Sequence, residues 1–206
     1  MKSFFSYKLS VTFFSLICFL ICIPGLSAFA SNYGSGTYGS CQYGSCGISI
    51  SSDNSLNLNI TPTSSGNCSI GSDTVSVLTD DSNGYTLTIA TSTSNNSLVN
   101  GASSITSTTG NQASPSYLSI NTWGYRVDGI GGFGTGPTIT QSNISFPNGT
   151  LFATIPSSSG SPDTIATDSS AADPAVNTSV WYGVCADTNI TAGNYTAQIT
   201  YSAIAN

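Results

Sequence analysis

The stretch Tyr195-Thr196-Ala197-Gln198-Ile199-Thr200-Tyr201-Ser202-Ala203 places an apolar or aromatic side chain at every second position and a small polar one between. Successive side chains of an extended chain point to opposite faces, so this period of two predicts a half-buried β-strand. The same alternation runs through Leu56, Leu58 and Ile60, separated by Asn57 and Asn59. It recurs at Val75 and Val77, and at Tyr85, Leu87 and Ile89 with Thr86 and Thr88 between them. Weaker strand signals lie at residues 116–120, 122–127, 137–146, 150–155 and 180–186.

No window carries a 3.6-residue apolar stripe with helix caps, and the strong helix formers Glu, Lys and Arg are nearly absent. Eight to ten short strands divided by Gly, Pro, Asn, Asp and Ser clusters predict an all-β chain with minimal helix. The architecture expected is an antiparallel β-sandwich, Ig-like or jelly-roll-like. Asp80-Asp81-Ser82-Asn83-Gly84 separates two alternating runs and reads as a hairpin connection. Longer loops are expected at residues 95–114, 128–136 and 157–175.

Upstream, Lys2 and Lys8 precede an apolar run from Val11 to Ile23, followed by Ala28-Phe29-Ala30. This is the pattern of a secretory signal peptide over residues 1–30, with cleavage after Ala30. The run falls short of the ~20 residues that span a bilayer, and nothing downstream is apolar enough to do so. The expected product is a secreted, cell-surface protein with no transmembrane segment. Its organisation is a flexible arm over 31–47, where Tyr-Gly-Ser repeats at Tyr33, Tyr38 and Tyr43, and a sandwich domain over 48–206.

With the leader removed, Arg126 is the only basic residue and stands against nine acidic residues, all aspartate. Nucleic-acid binding releases counterions through clusters of Lys and Arg, which this chain lacks. The sequence also contains no His and no Glu. Nucleophile systems with a His base and His-based zinc sites are therefore excluded. No cofactor is expected, and the one enzyme chemistry left open is a pair of aspartates acting on a glycosidic bond.

Cys41, Cys46, Cys68 and Cys185 remain after cleavage, an even number for an oxidising compartment. The favoured pairing is Cys41–Cys46 with Cys68–Cys185. The latter bridge closes a loop of over a hundred residues and stabilises by about 4 to 5 kcal/mol in the chain-entropy view. Pairing of Cys41 or Cys46 with Cys68, or between chains, stays open.

Asp80, Asp81 and Asn83 crowd oxygens onto one turn and form a weak calcium candidate. An EF-hand loop laid on them would lack its first and last carboxylates. Trp123, Tyr125 and Trp181 are candidates for stacking on a sugar ring. The alternative is that Trp123 and Tyr125, which share a strand face, point into the core while Arg126 turns outward to pair with Asp128.

Asn121-Thr122-Trp123-Gly124-Tyr125, Trp181-Tyr182-Gly183-Val184 and the closing Ala192-Gly193-Asn194-Tyr195, together with Gly84-Tyr85-Thr86-Leu87, resemble a group of secreted surface proteins of candidate-phylum, host-associated bacteria. The likeness covers roughly residues 56–206. A weaker one, carried by Ala-Gly-x-Tyr alone, is to spore-coat-U and pilin-like modules. The resemblance implies a cell-envelope setting and carries no catalytic residues. The expected role is a structural or adhesive surface protein whose partners are glycans, the cell wall or sister subunits. The alternative is a carbohydrate-binding module, or an aspartate-dependent glycosidase.

Overall fold

The computed structural model describes residues 37–38, 41–42, 47–137, 139–145 and 149–206. The expected signal peptide, most of the Tyr-Gly-Ser arm and the Cys41–Cys46 bridge lie outside the described residues. Two compact units are present, Met1–Gly44 and Ser45–Asn206. In the first, β1 (Thr37–Tyr38) and β2 (Cys41–Gln42) form an antiparallel pair.

The second unit is all-β, with no helix among the described residues. Its strands are β3 (Ile48–Ser51), β4 (Asn67–Thr79), β5 (Tyr85–Thr91), β6 (Leu98–Asn100), β7 (Ser103–Ser107), β8 (Thr122–Arg126), β9 (Gln141–Ile144), β10 (Asp163–Asp168), β11 (Ala172–Ala186) and β12 (Ile199–Ala205). A three-stranded antiparallel sheet has the order β10-β5-β12. The larger sheet runs β3-β4-β11-β8-β7-β6, with β9 also paired to β4. Together they make a sandwich-like fold. One pairing departs from the antiparallel expectation, since β7 and β8 run parallel.

The main core lies between the sheets. Val75 and Val77 of β4, Leu87 and Ile89 of β5, and Val180, Tyr182 and Val184 of β11 belong to one buried cluster. A second cluster of Cys68, Ile70, Leu118, Phe152, Trp181 and Cys185 occupies the opposite face of the larger sheet. Strand β11 therefore changes character along its length. Its first half is largely exposed, whereas Val180–Ala186 is buried on both faces. Cys68 and Cys185 face each other across the β4–β11 ladder and are joined by a disulfide, the long-range bridge of the favoured pairing.

Glycine makes the second cluster possible. Gly124 of β8 and Gly183 of β11 are register partners. A Cβ on Gly183 would lie 2.6 Å from the Phe152 ring and 2.8 Å from Leu118, and one on Gly124 would lie 2.6 Å from the Ala153 carbonyl oxygen. The two bare positions form a slot that the Phe152 side chain fills. This explains physically why Trp-Gly-Tyr and Tyr-Gly-Val recur in facing strands.

Several sequence expectations are corrected. Residues 80–84 form no hairpin, because β4 and β5 belong to different sheets and the turn carries the chain from one to the other. Alternation in both strands is satisfied by this arch as well as by a hairpin, since their apolar faces then meet across the core. Residues 55–60 form no ladder, although Leu58 and Ile60 pack against the main core. The Leu56 and Leu58 side chains fill the space beside Gly71. Two expected loops contain strands, with β6 and β7 inside 95–114 and β10 with the start of β11 inside 157–175. Residues 116–120 and 150–155 form no ladder and carry only isolated bridges, Ser116 with Phe152 and Ala153 with Tyr125.

Crowding at the glycine slot sets a test. Gly183→Ala should lower unfolding stability by about 1 to 3 kcal/mol, because backbone and a packed ring must move. Gly160→Ala, whose Cβ meets only ordinary contacts, should leave it within about 0.5 kcal/mol. Urea unfolding of both variants reads the difference.

Candidate functional site

The turn proposed as a calcium site uses its carboxylates on its own backbone. Asp81 is buried and accepts from the Asn83 backbone N–H at 2.8 Å, while Asp80 accepts from the Gly47 N–H at 2.8 Å. Among the described residues no cluster of three or more metal-ligating side chains occurs.

The three aromatic candidates lie in the cores. Trp123 and Tyr125 belong to the main cluster. The Trp123 indole N–H donates to the Asn96 carbonyl at 3.0 Å, and the Tyr125 hydroxyl donates to Asp163 Oδ2 at 2.6 Å. Trp181 belongs to the second cluster and is 7 % exposed. All three side chains are buried. Among the described residues the large aromatic that stands in solvent is Tyr117, 60 % exposed.

Arg126 pairs with Asp128 as expected but is not turned outward. Its side chain is 0 % exposed, while that of Asp128 is 40 % exposed. Its Nε and Nη2 both donate to Asp128 Oδ1, at 3.2 and 2.7 Å. Nη1 donates to the Leu151 carbonyl, and Nη2 also to those of Phe133 and Gly134, each at 3.3 Å. The Phe133 ring lies 5.9 Å from the guanidinium carbon. Gly136 passes so close that any side chain there would overlap the guanidinium. Arg126 is a structural cation around which the loop after β8 is wound.

The aspartates act in the same way. Tyr182 and Tyr201 share a hydrogen bond of 2.6 Å, and Tyr201 donates to Asp73 Oδ2 at 2.9 Å, tying β11, β12 and β4 together. Burial, followed by the neighbouring phenol, pushes the Tyr201 hydroxyl well above the ordinary tyrosine range. Burial raises the Asp163 carboxyl, opposed by its bond from Tyr125. The Asn121 side-chain amide, with the Asn189 backbone N–H, holds Asp187 below the usual carboxylate range. Eight of the nine aspartates accept hydrogen bonds within the fold.

A concave surface lies beside β11. Strand β8 pairs with β11 only from Trp181 to Val184, and the chain after Arg126 then leaves the ladder. The gap between β11 and β10 opens into a cleft of about 550 Å³. Its walls are Asn177, Thr178, Ser179 and Trp181 from β11, Ile165 and Ala166 from β10, and Val127, Asp128, Ile130 and Pro137 from the intervening loop. Of the sequence candidates only Trp181 reaches it. Asn177 and Ser179 carried no sequence signal, because their role comes from segments brought together by the fold. Against known protein families, curated proteins and solved structures, the chain shows no match in any of the three.

Two outcomes follow from the polar network. Arg126→Met should cost about 3 kcal/mol of stability, since three carbonyls and Asp128 lose their donor. Arg126→Lys should recover only part, as an ammonium cannot reproduce the fork; chemical denaturation reads both. Asp187, with its folded pKa depressed, contributes stability that is present above the unfolded value of about 3.9 and is lost as pH falls through the folded value. In thermal melts between about pH 2 and pH 6, Asp187→Asn should be less stable than the parent at the upper end, and the gap should shrink on acidification.

Proposed function

We propose that this chain is an exported, non-catalytic surface protein with a structural or adhesive role. The observation that carries the reading is chemical. A disulfide-stapled sandwich has exposed strand positions occupied by Thr, Ser and Asn, as at Thr200 and Ser202 of β12 and Asn177 and Ser179 of β11. Such a surface hydrogen-bonds to glycans or to sister subunits while providing little long-range electrostatic steering. The leader-like residues 1–30, and the resemblance to secreted surface proteins, support the setting.

The aspartate-based glycosidase is disfavoured because eight carboxylates already serve the fold as acceptors, and the single cation is buried beside one of them. A stacking platform on Trp123 or Tyr125 is disfavoured by the burial of both rings.

Labelling of intact cells with an antibody against the 48–206 domain tests the proposal, together with the mass of the recovered protein. The expected result is surface staining without permeabilisation and a chain beginning at Ser31. Staining that appears only after lysis, with an uncleaved leader, would falsify it.

A further inference from the structure

We propose that the cleft between β10, β11 and the loop after β8 is a binding site for a neutral saccharide. Its size falls within the range of small-ligand sites, roughly 300–1,000 Å³. The lining divides into two kinds of surface. Asn177 and Ser179 project from the same face of β11 and are exposed, so an amide and a hydroxyl stand at the rim. Asp128 adds a carboxylate whose Oδ1 is held by Arg126, leaving Oδ2 as an acceptor. From the loop after β8, Ile130 and Pro137 are half-buried and supply apolar wall. Alternating hydroxyls and C–H faces on one small molecule match this pairing of polar rim and apolar wall.

Charge narrows the class. A sialic acid, uronic acid or phosphate needs a cation, and the one basic residue of this unit has 0 % exposure and is already paired with Asp128. Asp128 at the rim repels anions further. A purely apolar ligand would leave Asn177, Ser179 and Asp128 desolvated without partners, at about 1–3 kcal/mol for each group. An extended peptide adding to the β11 edge is disfavoured by length. Only Asn177, Thr178 and Ser179 of that edge line the cleft before Trp181, whereas a typical strand pairs over about 5–6 residues.

The inference gives the adhesive reading a ligand class, but it stands on the cleft. Cell-surface labelling and saccharide binding can therefore fail separately. The test uses the processed, disulfide-bonded protein titrated by calorimetry with neutral oligosaccharides of glucose, mannose, galactose and N-acetylglucosamine. Sialyllactose, hyaluronan fragments and an uncharged Ser/Thr-rich peptide serve as comparisons. The expected result is binding of at least one neutral sugar, insensitive to salt and weakened about tenfold or more in Asn177→Ala and Ser179→Ala, with thermal midpoints unchanged. A Pro137→Ala variant should weaken it through the apolar wall. Absence of neutral-sugar binding overturns the proposal. So does binding that the variants leave intact, stronger binding of the anionic sugars, or displacement of the sugar by the peptide.

Discussion

A single buried guanidinium organises one whole side of the molecule. Burying a charge of that size costs several kcal/mol unless it is paired and fully hydrogen-bonded. Arg126 offsets that cost with two contacts to Asp128 and three backbone carbonyls from two separate segments. In doing so it draws the chain after β8 into a tight loop and away from β11. The end of the β8–β11 ladder and the opening of the cleft thus coincide with the point where the chain turns around Arg126. Asp128 serves both, with one oxygen turned to the buried cation and its side chain part-exposed at the rim.

The rest of the fold is built almost without ion pairs. Among the described residues Arg126–Asp128 is the one salt bridge. The other engaged aspartates accept from backbone amides, tyrosine hydroxyls and asparagine side chains. Such bonds fix geometry locally, and their carboxylates respond to acid in opposite senses, with Asp187 held low by its donors and Asp163 raised by burial. The disulfide and the glycine slot do the corresponding work in the second apolar cluster, where strands approach closely because two facing positions carry no side chain.

The sequence was legible where burial and alternation coincide. Strand β5 could be read residue by residue, and Cys68–Cys185 was the favoured one of the pairings that four cysteines allow. Residues 55–60 show the same alternation and form no ladder, because a period of two reports which side chains turn inward and does not report who pairs with the backbone. The turn at 80–84 illustrates a related ambiguity, since an arch and a hairpin bury the same positions. The first half of β11 was invisible for the opposite reason: Asp173 to Ser179 is mostly polar and exposed, and it is strand only because β4 lies alongside. Arg126 looked like a surface residue from its charge, and its burial depends on carbonyls that arrive from Leu151 and Phe133. The cleft joins three distant stretches and leaves no local trace.

The separation of 117 residues between Cys68 and Cys185 has a temporal meaning. A chain that crosses a membrane amino-terminus first delivers Cys41, Cys46 and Cys68 to the oxidant well before Cys185 emerges. Of these three thiols the nearest pair, Cys41 and Cys46, forms the favoured local bridge and leaves Cys68 waiting for its partner, whereas an early bridge from Cys68 to either of them has to be undone by thiolate exchange over seconds to hours. On the proposed exported route, the β4–β11 ladder thus gains its covalent lock only once Cys185 has followed the other thiols across, so oxidation of this domain is completed at the end of translocation.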